Sequence, residues 1–432
     1  MSSFVVRGGK PLKGTIATSS GKNAPLAVLA GTLLVRGESI LHNMSQVEEV
    51  QRLLEIMASI GVAYEWIGER TLKVDSSGPL NMDSIDKKAS RATRIVLLLM
   101  GALAAHEKQF KLYKSGGCKL GERTVRPHLM ALEKFGVRII NTSGYYEVTT
   151  KKLKAADVVM FESGDTATEN AVMAAVLAPG NTVIKYASAN YMVQDLCHFL
   201  NAAGAQIDGI GTSTLHIKGV KSLHNVNGFH IIPDPVDAMA WISLAITTRS
   251  PLTVKNCVLD FLDLELEHLR VMGQQFTLKN ERMSDSGHYR LADITLKPSL
   301  LTALPTKLHG KPYPGLNIDN VPLFIPILTQ AKGQTLVHDW VYENRAVYYL
   351  ELQKLGGQVL LLDPHRALVT GPSKLQAGEV ICPQALRPGM AILIAMIAAK
   401  GTSRLRQPYM IERGYEQLIE RLQGVGVDIT RE

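Results

Sequence analysis

Cysteine is scarce in this chain and scattered. The four in 432 residues are Cys118, Cys197, Cys257 and Cys382. No CxxC pair and no Cys/His ligand spacing occurs, so neither a disulfide framework nor a zinc site is indicated. Long apolar runs are missing too. The longest, 95–105 and 391–399, fall well short of the roughly 20 residues that span a bilayer. The opening MSSFVVRGGKPLKG lacks the apolar stretch of a signal peptide and reads as a first strand and turn. A cytoplasmic protein, with no membrane partner, is the expectation. Runs of Lys and Arg are also absent. The 47 basic and 39 acidic residues leave a net charge of +8 that is spread along the chain. A dispersed surplus suits small anionic ligands better than nucleic acid. No cofactor or metal is called for, and the composition does not fix an oligomeric state.

What is present is a repeat. A segment with apolar residues at helical spacing ends in glycine, two variable residues follow, and an apolar residue opens a strand. The six instances begin at Gly61, Gly136, Gly204, Gly273, Gly356 and Gly426. The preceding segments, such as MALEKFG and LELQKLGG, read as amphipathic helices. Glycine just past a helix can adopt the left-handed cap. Most of these helices follow a second signal, a helix end, turn and β-rich run, as in LAPGNTVIKY and ITTRSPLTVKN. Further hairpin strands read at TLKVD (71–75) and YYEVTT (145–150). Each unit is therefore helix, turn, strand, helix, glycine, strand, and six units divide naturally into two groups of three.

One stretch carries chemistry on its face. KLYKSGGCKLGERTVR, residues 111–126, places Cys118 after two glycines and among Lys114, Lys119, Arg123 and Arg126. Glycines 116 and 117 can hinge a loop. A thiol among cations loses its proton more readily. Such a loop suits work on an anionic substrate; the alternative is a surface loop with an incidental cysteine.

SGKNAPL (20–26), GGCKLGER (116–123), ENR (343–345), LRPGMA (386–391) and ERGYE (412–416) together resemble the enolpyruvyl transferases, in family order and over nearly the whole chain. The pattern is most similar to the branch that uses UDP-N-acetylglucosamine. The resemblance implies a two-domain inside-out α/β barrel of six βαβαββ-type repeats, three per domain. It implies domains of 22–232, and of 1–21 with 233–432, with the active site in the cleft between them. The implied reaction moves the enolpyruvyl group of phosphoenolpyruvate to a hydroxyl and releases phosphate. The first-choice acceptor is the 3-hydroxyl of UDP-N-acetylglucosamine, as in the first committed step of peptidoglycan synthesis. Another nucleotide or sugar hydroxyl, or a non-catalytic ligand-binding relative, is the alternative.

By resemblance, Cys118 is the proton donor and the residue that fosfomycin alkylates. Asp319 takes the acceptor's proton, Lys22 holds the phosphate, Asn23 holds the acceptor, and Arg413 is one of the arginines around phosphoenolpyruvate. Arg123, Arg345 and Arg387 surround phosphoenolpyruvate. Arg94 is the remaining active-site arginine, with Arg91 as its competitor. The departures from the family fall on the acceptor side. TVRP (124–127) stands for PVDL, and Glu48 and Glu162 stand for lysines. Asp165 is added, and Pro235 and Ala385 replace an arginine and an aspartate. His42, His128 and His230 read as structural or exposed, and Met390 and Met396 as core.

Overall fold

The structure is a computed structural model that describes residues 2–114 and 124–432. The described chain forms two compact units. One holds residues 22–114 and 124–232; the other holds 2–21 and 233–432. Each contains three β-sheets.

Five of the six sheets share one pattern. An edge strand runs parallel to its neighbour, and two antiparallel strands complete the four. In the first unit Val226–His230 lies parallel to Glu38–His42, which pairs antiparallel with Thr71–Asp75 and through it with Ala63–Gly68. In the second unit Gly14–Ala17, Leu252–Val258, Arg290–Leu296 and Phe276–Met283 repeat the arrangement. Among the described residues, the sheet of Gln109–Tyr113, Tyr145–Thr150 and Val137–Asn141 has the antiparallel part alone. Strand alternation explains the orientation. In TLKVD, Leu72 and Val74 are buried while Thr71, Lys73 and Asp75 are partly exposed, as period 2 requires of a sheet with one wet face.

The helices fill the interiors. In the first unit Asn23–Val35, Leu99–Ala104 and Asp165–Val176 pack on one another; in the second, Pro235–Thr247, Val321–Leu328 and Leu386–Ala398 do so. Every residue of Pro235–Thr247 and of Val321–Leu328 is buried. A helix apolar all round can only be stable when surrounded. Met390 and Met396 belong to this core. The sheets thus lie outside and the helices inside, three repeats to a unit, and among the described residues each sheet is hydrogen-bonded separately.

All six repeat glycines have φ between 79 and 106°, the left-handed cap that L side chains resist. One element differs from expectation. LELQKLGG is not an α-helix: residues Ala346–Leu355 form a 3₁₀ helix, in which Tyr348 N–H bonds the carbonyl of Arg345, three residues back. The apolar run 95–105 is likewise two pieces, a 3₁₀ turn over Arg94–Leu98 and then Leu99–Ala104. Among the described residues no helix is long and apolar enough to cross a membrane.

Candidate active site

Asp319 sits in a tight turn, LNIDN, just before the helix Val321–Leu328. Its own N–H donates to Asn317 Oδ1 at 2.9 Å, an Asx turn of the kind short polar side chains favour. Two guanidinium groups face its carboxylate. Arg345 Nη1 lies 3.5 Å from Oδ1, and Arg387 Nε lies 3.5 Å from Oδ2. Both arginines are buried, at 2% and 4% exposure.

Buried cations need partners. Arg345 makes a forked bond to Asp339, Nε at 2.7 Å and Nη2 at 2.6 Å, and donates again to the carbonyl of Ile318. Tyr349 hydroxyl donates to the same Asp339. Burial works against the charge on Arg345, but the Asp339 carboxylate, Tyr349 and Tyr342 together outweigh it and raise the guanidinium above its ordinary value. Arg387 has a second carboxylate, Asp234, at 3.9 Å, and its guanidinium faces the ring of Tyr415 at 5.3 Å. It stands in the first turn of Leu386–Ala398, after Ala385 at the cap. Arg413 follows the short helix Tyr409–Glu412 as its C-cap. Asp319, Arg345 and Arg387 are therefore brought together, with cationic donors that have been desolvated in advance.

In the other unit Lys22 occupies the N-cap position of the helix Asn23–Val35 and gives its carbonyl to Leu26 N–H. Its ammonium lies 2.9 Å from Glu49 Oε2. Asn23 Nδ2 donates to Tyr191 hydroxyl at 3.1 Å. Arg94 opens the 3₁₀ turn Arg94–Leu98. Its charge, added to burial, holds His128 down to about 4. Arg91, the competitor, is exposed, with its guanidinium over the ring of Tyr113. Cys118 and Arg123 lie outside the described residues. The other three thiols are free and buried. Burial pushes those of Cys197 and Cys257 far up and that of Cys382 up to about 12, so none supplies a thiolate near neutrality.

Two of the acceptor-side departures, Glu48 and Asp165, have local partners. Glu48 reaches Arg52 across one helical turn at 3.5 Å. Asp165 accepts from Ser188 Oγ at 2.6 Å and Asn190 Nδ2 at 3.2 Å. Pro235 takes the first helical position behind Asp234, whose carboxylate caps Val236 N–H, where a missing N–H costs nothing. Glu162 is exposed.

Sequence reasoning missed Asp339, Glu49, Tyr191 and Asp234. Tyr191 meets Asn23 across 168 positions, and no local signal announces it. Asp339, six residues before Arg345, had at least proximity in its favour. Among the described residues no cluster of three or more His, Cys, Asp or Glu could hold a metal.

Comparison with known proteins bears on the family and the fold. The family model for EPSP synthase (3-phosphoshikimate 1-carboxyvinyltransferase) matches residues 6–422. The UDP-N-acetylglucosamine 1-carboxyvinyltransferase of Treponema pallidum is 34% identical, over 100% of both chains. That of Bradyrhizobium diazoefficiens is 34% identical, over 99% of this chain and 97% of its own. Among solved structures, the enolpyruvyl transferase NikO from Streptomyces tendae superposes with a TM-score of 0.86 at 22% identity, over 100% of this chain and 98% of its own. EPSP synthase from Acinetobacter baumannii gives 0.76 at 19%, over 100% of both chains. A full-length match of this kind, on a two-unit α/β fold with three sheets to a unit, means that the chain belongs to the EPSP synthase family and is an enolpyruvyl (1-carboxyvinyl) transferase.

Proposed function

We propose that this enzyme transfers the enolpyruvyl group of phosphoenolpyruvate to the 3-hydroxyl of UDP-N-acetylglucosamine, in peptidoglycan synthesis and in the cytoplasm. The observation that carries the chemistry is the Asp319 carboxylate held 3.5 Å from both Arg345 and Arg387. The acceptor rests on the full-length relatives named for it.

In this reading a proton adds to the methylene carbon of phosphoenolpyruvate, from Cys118, and C2 becomes electrophilic. The acceptor oxygen bonds to C2 as Asp319 takes its proton. The methyl carbon then returns a proton to the Cys118 thiolate while phosphate departs, which restores the double bond and the thiol. Arg345, Arg387, Arg413 and Arg123 hold the carboxylate and phosphate, for which planar guanidinium groups are suited. Lys22 meets the phosphate at a helix start, where free N–H groups also favour anions. To do so its ammonium must exchange Glu49 for the ligand. Asn23 holds the acceptor, and Arg94 serves beside it.

The test is phosphate release from phosphoenolpyruvate with UDP-N-acetylglucosamine, set beside a panel of other hydroxyl acceptors. Release only with the sugar nucleotide is expected. Asp319→Asn should lower kcat by about 10²–10⁴-fold, the usual worth of a general base, and Cys118→Ser should act similarly. Undiminished turnover in Asp319→Asn would remove that residue from the mechanism, and release with a different acceptor alone would reassign the substrate.

A further inference from the structure

The buried carboxylate of Glu265 is not accounted for by this chemistry, though it contacts the turn that carries Asp319. Glu265 lies on the helix Asp263–Val271 and is 3% exposed. Its Oε1 accepts two hydrogen bonds, from Asn320 Nδ2 at 2.8 Å and from Asn317 N–H at 3.2 Å. Those donors bracket Asp319. Asn317 in turn accepts from Asp319 N–H at 2.9 Å through Oδ1, and Asn320 N–H closes the turn on the Asn317 carbonyl at 2.9 Å. Ile318, inside the same turn, gives its carbonyl to Arg345. One oxygen atom therefore ties both ends of a four-residue turn whose middle holds Asp319 and an arginine contact.

We propose that Glu265 is a positioning residue for the reaction, which acts through the 317–320 turn to hold the Asp319 carboxylate between Arg345 and Arg387. This rests on the reading of Asp319 as the base. A displacement near 1 Å at a reacting group can cost about 10²-fold, so a carboxylate that needs both guanidinium contacts gains from a turn with no slack. A buried carboxylate used only for packing would be a poor choice, because an apolar side chain of similar volume fills such a position at no electrostatic cost. Two donors converging on one oxygen give it a specific task.

The experiment is a double-mutant cycle in the full-length protein, read as kcat and KM for phosphoenolpyruvate. Glu265→Leu, which removes the acceptor, should lower kcat about tenfold or more with KM changed less than threefold. Glu265→Gln keeps an oxygen able to accept both bonds and should restore kcat to within about threefold of the parent. In an Asp319→Asn background, Glu265→Leu should cost less than twofold more, because the group it positions has lost its function. Asn320→Ala removes one donor from the opposite side and should show the same non-additivity; it decides the matter if the leucine variant does not fold. Losses that multiply in the double variant, or a leucine variant with parental kcat, would overturn the positioning role while leaving Asp319 as base. Parental turnover in Asp319→Asn alone would overturn the reading beneath it and the positioning role with it.

Discussion

At the residue scale, two buried titrating groups pull stability in opposite directions. Asn170 Oδ1 accepts from Gly101 N–H at 2.7 Å, so its Nδ2 is the atom 3.0 Å from His128 Nδ1. That nitrogen must accept, which puts the imidazole proton on Nε2, facing Thr166 Oγ1 at 3.3 Å. Burial first, and the Arg94 charge second, lower His128 from 6.5 to about 4. A base held neutral in the fold stabilises it above its unfolded pKa, and this is lost as pH falls from about 6.5 to 4, worth about 3 kcal/mol. Glu265 behaves oppositely. Burial raises it from 4.5 to about 7; Asp263 adds a little, while bonds from Asn320 and Asn317 oppose the change. Its contribution is present below about pH 4.5 and lost as pH rises through 7, again about 3 kcal/mol. Urea unfolding across pH should therefore show the His128→Gln variant gaining on the parent toward pH 4, and Glu265→Gln gaining toward pH 8. Parallel curves for parent and variants would contradict both assignments.

Among the elements, the inner helices depend on close approach. Gly101 lies in Leu99–Ala104, and a Cβ there would stand 2.3 Å from the backbone oxygen of Asn170 on Asp165–Val176. Backbone cannot yield as a flexible side chain can, so the two helices would have to separate. Gly101→Ala should destabilise the protein by about 2–3 kcal/mol, in the range for overpacked cores, and calorimetry or urea unfolding would measure it. A loss under 0.5 kcal/mol would show that the helix pair yields to an added methyl group. Of the inner helices, Leu386–Ala398 was legible in part, as the apolar run 391–399, because it is buried nearly all round. The 3₁₀ helix Ala346–Leu355 was not, because its apolar spacing fits an α-helix equally well. Its winding accompanies tertiary anchors, Arg345 at its start and Tyr349 within it, both on Asp339.

On the scale of the whole molecule, the described chain passes from one unit to the other at residues 21–22 and 232–233. Within the unit that holds 2–21 and 233–432, Asp234 N–H donates to the Ser19 carbonyl at 2.7 Å. Gly21 stands at the first crossing with φ +60°, and a Cβ there would fall 2.0 Å from Asp234 Oδ2. Left-handed backbone costs an ordinary residue about 1–2 kcal/mol before any clash. Gly21→Ala should therefore cost about 2 kcal/mol or more, and should also reduce turnover, since Lys22 and Asn23 follow directly and Arg387 contacts Asp234. Thermal unfolding beside phosphate release would check it; an unaffected variant would mean that the crossing tolerates rearrangement.

The six glycines, the hairpin strands and five short motifs were legible because each is local. A left-handed cap, a period of two and a run such as LRPGMA need only neighbouring residues to be recognised. They determined the repeat, its division into two groups of three and the family. What the sequence could not disclose was the partner of each charge. Arg345 and Arg387 read as ligand-binding arginines, yet Asp339 and Asp234 already hold them. Lys22 read as a phosphate contact, and Glu49 faces it. Glu265 read as nothing in particular until the fold laid it against the turn of Asp319, about fifty positions along the chain. The cost of burying a charge falls as soon as an opposite charge or a donor meets it, and which one meets it is decided only when distant segments pack.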